Sequence, residues 1–112
     1  MANTYTQLHV QFIFAPKFRE SLIRTDWEND LYKYITGIVH NNKSKMICIN
    51  GMPDHLHMLV GFHTIQSIAD FMQDVKAGSS KWINESKLTK SRFEWQSGYG
   101  AFSYAKSQLP YV

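Results

Sequence analysis

A single cysteine, Cys48, stands among the 112 residues, so no internal disulfide can brace the chain and an apolar core must hold it. Cys48 sits among Met46, Ile47 and Ile49 and is expected to be a buried, inert thiol. No uninterrupted apolar run is long enough to span a bilayer, and the N-terminus lacks the basic, apolar and small-residue pattern of a secretory signal. These absences predict a cytoplasmic protein that makes no use of a membrane. Low-complexity tracts and internal repeats are missing too, which argues against disorder and a solenoid. Charge of one sign is scarce: 12 Lys and Arg oppose 9 Asp and Glu, a net of +3. Such a balance is compatible with a polyanionic partner but common in proteins that bind none. What remains is a chain with 44% hydrophobic residues, enough for one core and too short for two, so residues 1–112 read as a single domain.

In residues 6–14, Leu8, Val10, Phe12 and Phe14 alternate with Gln7, His9 and Gln11, the period of a strand with one buried face. Pro16 interrupts it, and PKFRESLIR reads as a loop. Thr25 and Glu28 form a candidate capping box, followed by Trp27, Leu31, Ile35, Ile38 and Val39 at helical spacing. Residues 45–50 and 55–62 read as a hairpin turning at residues 51–54. Ser67 and Asp70 open a second amphipathic helix carrying Ile68, Phe71, Met72, Val75, Trp82 and Ile83, with Gly78 weakening its middle. Residues 92–96 and 101–105 are expected to be two short strands around a turn at residues 97–100. The order β-α-β-β-α-β predicts an α+β, ferredoxin-like split β-α-β fold, an antiparallel sheet with both helices on one face. Its other face is left for a ligand or a second subunit. At the C-terminus Ser107 and Pro110 announce a helix that does not follow, which reads as a truncated end.

His55 and His57 lie two apart in the strand segment HLHMLVGF, so both project from one face while Leu56 and Met58 take the other. Neutral imidazoles bind divalent transition metals, and a strand holds such a pair at a suitable separation. The same spacing also arises by chance. Lys17 and Arg19, following the first strand, could bind phosphate or water, with phosphate favoured for Arg19. Trp95, Phe102 and Tyr104 could stack on unpaired bases or serve packing.

The stretch PDHLHMLV matches the histidine-hydrophobic-histidine (HUH) motif of single-strand nucleases. With PKFR, DVKAGSSKWIN and FEWQSGYGAFSYAKSQ, the chain from Tyr5 to Val112 resembles the small tyrosine (Y1) transposases of the IS200/IS605 type. That resemblance implies a homodimeric enzyme that cuts and rejoins single-stranded DNA beside hairpins at the ends of a mobile element. It further implies that His55 and His57 hold Mg2+ or Mn2+ against the scissile phosphate, and that a tyrosine forms a 5′-phosphotyrosine link. In the family that tyrosine lies on a helix just beyond the position of Val112, so the domain reads as lacking its C-terminal catalytic helix, and Tyr111 is the nearest candidate nucleophile. The resemblance places Lys76 near the DNA or the active site. Lys76, Ser80 and Lys81, on the second helix, are candidate DNA contacts, since lysine and serine donate to phosphate oxygens. The alternative is a catalytically inactive relic acting only as a single-stranded DNA hairpin binding module. A structural zinc site is disfavoured, because zinc wants four ligands and only two candidates are present.

Overall fold

The computed structural model describes residues 8–17, 23–63 and 66–104; Arg19, Ser107, Pro110 and Tyr111 therefore lie outside the described residues. Six elements follow one another: β1 (Leu8–Phe14), α1 (Glu28–Asn41), β2 (Lys45–Met52), β3 (His55–Phe62), α2 (Ile68–Glu85) and β4 (Gly100–Tyr104). The strands form one sheet in the order β2-β3-β1-β4, every neighbouring pair antiparallel. Each helix connects two strands that are separated in the sheet by a third. This is the split β-α-β arrangement of the ferredoxin-like fold.

Alternation decides which side of the sheet is sealed. Val10, Phe12 and Phe14 of β1 and Leu56, Met58, Val60 and Phe62 of β3 are buried, together with Leu31, Ile35 and Val39 of α1 and Phe71, Met72, Val75 and Ile83 of α2. Both helices thus cover one face. Under them Phe71 packs against Phe12 at 5.3 Å and edge-on against Phe62 at 5.2 Å between ring centroids. Burying a side chain of this size contributes about 1.5–3 kcal/mol, so the residues of this cluster together dominate the choice of face. Leu8, at the start of β1, escapes that cover and is exposed.

Gly78 does not weaken α2, which runs unbroken. A Cβ at this position would lie 2.8 Å from Ile38 Cδ1, so the missing side chain lets the two helices approach closely. Ser67 caps α2 by accepting from the Asp70 amide at 3.1 Å, as its sequence predicts. The capping box expected at Thr25 and Glu28 does not form. Residues 25–27 make a turn, with the Trp27 amide donating to the Arg24 carbonyl at 3.2 Å, and Trp27 itself is the N-cap without a side-chain cap. Trp27 is 5% exposed; burial of its indole outweighs the roughly 1 kcal/mol a side-chain cap contributes.

Cys48 also departs from expectation: it is exposed. The β2–β3 register shifts between Met46 and Cys48, pairing Met46 with Val60 but Cys48 with Leu59. One extra residue reverses the alternation, turning Ile49 towards the core and Cys48 away from it.

The expected hairpin of residues 92–96 with 101–105 is absent. Residues 92–97 form an extended strap without a ladder, joined to the rest by a single bridge, Pro16 with Trp95. Backbone bonds from Lys17 N to Glu94 O and from Gln96 N to Ala15 O, each 2.8 Å, tie it to the chain leaving β1. Asn84 of α2 clamps it from the other side: its Nδ2 donates to the Phe93 carbonyl and its Oδ1 accepts from the Phe93 amide. The chain then turns at Gly98, where φ is +83°, and β4 pairs with β1 instead of with the strap. Trp95 packs beside Phe14 and Phe93, at 4.7 and 4.8 Å between centroids, and the strap's backbone groups are bonded to Ala15, Lys17, Asn84 and Lys76 instead of to β4.

The β2–β3 hairpin turns on Pro53 and Asp54 alone, with Met52 opposite His55. A Cβ on Gly51 would stand 2.8 Å from the His55 carbonyl oxygen and 3.2 Å from Leu56 Cα. Both are backbone atoms, which cannot yield cheaply. Gly51→Ala is expected to destabilise the fold by about 1–3 kcal/mol, measured by urea denaturation. An unchanged midpoint would show that the hairpin tolerates the added methyl group.

Candidate functional site

The pairing registers map the face that the helices leave open. Met52 lies beside His55. Asn50, His57, Ile13 and Gly100 form the next row across all four strands, and Cys48, Leu59, Gln11 and Phe102 the row after it. His55 and His57 therefore stand together on the open face, near the end of the sheet where β1 leaves it. Their rings are nearly parallel, 16° apart in plane and 5.6 Å between centroids. Both are half-buried, so each keeps room to turn. Nδ1 of His55 lies 2.9 Å from Asp54 Oδ1; in the neutral tautomer with the proton on Nδ1, this contact leaves the lone pair on Nε2.

That chemistry fits a divalent cation. Metal-binding histidines commonly give their second ring nitrogen to a carboxylate, which fixes the ring and raises its basicity. Two nitrogens are all the described residues bring together: no cluster of three or more His, Cys, Asp or Glu residues occurs among them. The remaining positions around a cation would fall to water, substrate oxygens or groups outside the described residues, as hard divalent ions accept.

The residues expected on α2 sit elsewhere, on the helix side of the sheet. The Lys76 ammonium donates to the Gln96 carbonyl at 2.7 Å and to the Gly98 carbonyl, and lies 5.7 Å from the centre of the Tyr99 ring. Its partial burial lowers its pKa from the usual lysine value. Lys76 thus closes the end of the strap nearest β4. Ser80 Oγ donates to the Ala77 carbonyl at 3.3 Å, and Lys81 is exposed. Lys17 forms an ion pair with Glu94 of the strap at 3.6 Å. Buried Ser79 donates to the Val75 carbonyl and accepts from Trp95 Nε1 at 2.9 Å.

Between α2 and the strap runs an open groove of about 520 Å³. Gln73, Lys76, Ala77 and Ser80 form its helical wall, and residues 92–97 the other. Arg92, Gln73 and Gln96 on these walls are not evident as site residues from the sequence. The only signal available was the polar spacing of Gln73, Lys76 and Ser80 along one helical face; nothing local marks Arg92. His9 stands on the open face beside Gly61 and β4. His40 and His63 lie by element ends: His40 Nε2 accepts from the Met46 amide, and the His63 amide donates to Ser44 Oγ.

Comparison with known proteins identifies the class to which this sheet and its histidine-bearing hairpin belong. The fold is that of solved transposase structures. A candidate transposase of Deinococcus radiodurans R1 superposes with a TM-score of 0.79 over 94% of this chain and 85% of that one, at 20% identity. A REP-associated tyrosine transposase, solved bound to a REP hairpin, gives 0.67 over 94% and 62%, at 14% identity. The chain belongs to the IS200-like transposase family, whose model matches residues 4–112. The ISDra2 transposase TnpA of D. radiodurans is 28% identical over 75 residues, 67% of this chain. The aligned part is 54% of that relative, so the match spans about half its length. Among the described residues no helix is long and apolar enough to cross a membrane.

Replacing Lys76 by Met keeps most of its stem and removes both charge-assisted hydrogen bonds, each worth about 1.5–3 kcal/mol at most. Lys76→Met is expected to speed amide exchange in residues 97–103 by tenfold or about that, with a smaller effect on β2. Equal protection in both proteins would mean that the strap is held without the amine.

Proposed function

We propose that this chain is a DNA strand-transfer enzyme of the HUH type, cutting and rejoining single-stranded DNA beside a hairpin at the end of a mobile element. The observation that carries the reading is the pair His55 and His57 on the open sheet face, with Asp54 orienting the first ring. Membership of an IS200-like transposase family supports it, as does the hairpin bound by one structural relative. In this reading His55 and His57 would hold Mg2+ or Mn2+, which would supply the positive charge that polarises phosphoryl oxygens and eases departure of a 3′ oxygen.

The chain's own part is nucleophilic. A tyrosyl oxygen forms a bond to phosphorus as its proton leaves, and the bond from phosphorus to the 3′ oxygen breaks, freeing a 3′ hydroxyl. The phosphotyrosine keeps the ester's energy, so a second 3′ hydroxyl can reverse the step without an external energy source. Tyr111 is the candidate nucleophile. Lys17, Arg19, Ser80 and Lys81 supply phosphate contacts, while Lys76 acts on the DNA through the strap it holds. A homodimer and an intracellular site of action complete the proposal.

Incubation with Mn2+ and a labelled single-stranded hairpin from the flanks of the chain's own coding sequence is expected to give a covalent adduct on a denaturing gel. His57→Ala and Tyr111→Phe should each abolish it. Metal-dependent binding with no adduct from the unaltered chain would instead support a hairpin-binding module that does not cut.

Asp54→Ala should weaken Mn2+ binding by about tenfold, read from paramagnetic broadening of the His55 and His57 ring signals. Identical broadening in the variant would remove Asp54 from the site.

A further inference from the structure

On the helix side of the sheet, opposite the face that carries the histidines, the groove between α2 and the strap has a composition that its packing does not use. Arg92 is exposed and makes no ion pair among the described residues. Gln73 and Gln96 face the groove from opposite walls, both exposed, and neither side-chain amide has a hydrogen-bond partner among the described residues. The walls between them are fixed. Asn84 holds Phe93 by two hydrogen bonds, Ser79 holds the Trp95 indole, and Lys76 holds the Gln96 and Gly98 carbonyls. The one acid on the strap wall, Glu94, is paired with Lys17 at 3.6 Å, which reduces its repulsion of an anion.

We propose that this groove binds one nucleotide unit of single-stranded DNA, with Arg92 taking the phosphate and Gln73 and Gln96 meeting the base edge. The volume of about 520 Å³ suits a unit of that size and is too small for a duplex. A guanidinium presents a planar fork of donors that matches phosphate oxygens. A primary amide offers a donor and an acceptor side by side, the pair that base edges require. Phe93 and Trp95 make the intervening floor apolar. Lys76, spent on the strap carbonyls, shapes the wall and leaves phosphate binding to Arg92. The inference rests on the reading that the chain binds single strands, and adds where the strand lies beyond the histidine face.

Fluorescence anisotropy with a labelled mixed-sequence strand about 12 nucleotides long tests it. Arg92→Ala should weaken binding about five- to tenfold and lower the slope of log affinity against log salt by about 0.7, the loss of one phosphate contact. Ala77→Trp, a neutral change at an exposed wall position, should block the groove and weaken binding at least as much. Lys90→Ala, two residues from Arg92 but outside the groove, should bind within about twofold of the unaltered chain, as a charge that touches no phosphate would. Matching circular dichroism and melting curves would show that all three variants are folded. If the unaltered chain binds the strand and Arg92→Ala and Ala77→Trp bind equally well, the groove is excluded while the single-strand reading stands. An equal loss from Lys90→Ala would reduce the effect to diffuse charge and overturn the site. So would displacement of the strand by polyglutamate of the same charge, since that marks a general anion surface. Failure of the unaltered chain to bind any single strand would overturn both readings.

Discussion

Strand β3 is buried on one side by two helices and open on the other, and most of the molecule follows from that asymmetry. Leu56, Met58, Val60 and Phe62 enter the core in turn, so the residues between them must face outward. A slip of one residue in register would expose all four and bury two imidazoles, at a cost of many kcal/mol. The placement of His55 and His57 is therefore set by hydrophobic burial behind them and needs no attraction between the rings. A site built this way can keep its side chains half-exposed and free of structural duty, as groups that exchange ligands require.

The strap of residues 92–97 solves a different problem. It is extended but belongs to no sheet, so its backbone groups need partners that a ladder would otherwise supply. Those partners come from four places: the Asn84 amide, the Lys76 ammonium, and the backbone of Ala15 and Lys17. Trp95 anchors its centre against Phe14 and Phe93 and gives its indole proton to Ser79. The result is a firm wall beside α2, reached with few residues and without closing the groove. Because the strap bridges α2 to the end of β1, it also sets where the chain turns into β4 at the edge of the sheet.

How much of this was legible in the sequence depends on the range of the interactions. The strands around His55 and Leu8, the amphipathic helices and the Ser67 cap rest on neighbours within a few residues, and the sequence pattern found them. The outward projection of His55 and His57 followed from strand alternation alone. Cys48 was misread because a bulge one residue earlier reverses that alternation, and nothing in KMICIN marks the bulge. Thr25 lost its capping role to the burial of Trp27, a tertiary demand invisible to a local rule. Residues 92–96 have strand-like composition but find their partners in α2 and in the chain leaving β1, not in residues 101–104. The groove was illegible for the same reason: Gln73 and Arg92 are separated by 19 positions and meet only once the strap is clamped.

The bulge in β2 has a practical side. By turning Cys48 outward into the row of Leu59, Gln11 and Phe102, it leaves the molecule's sole thiol on the face that carries the histidines and away from the groove. A maleimide dye would attach at one known position without any engineering of the sequence. Its emission would then sense whatever comes to rest on that face, be it nucleic acid, another copy of the chain or a segment of its own.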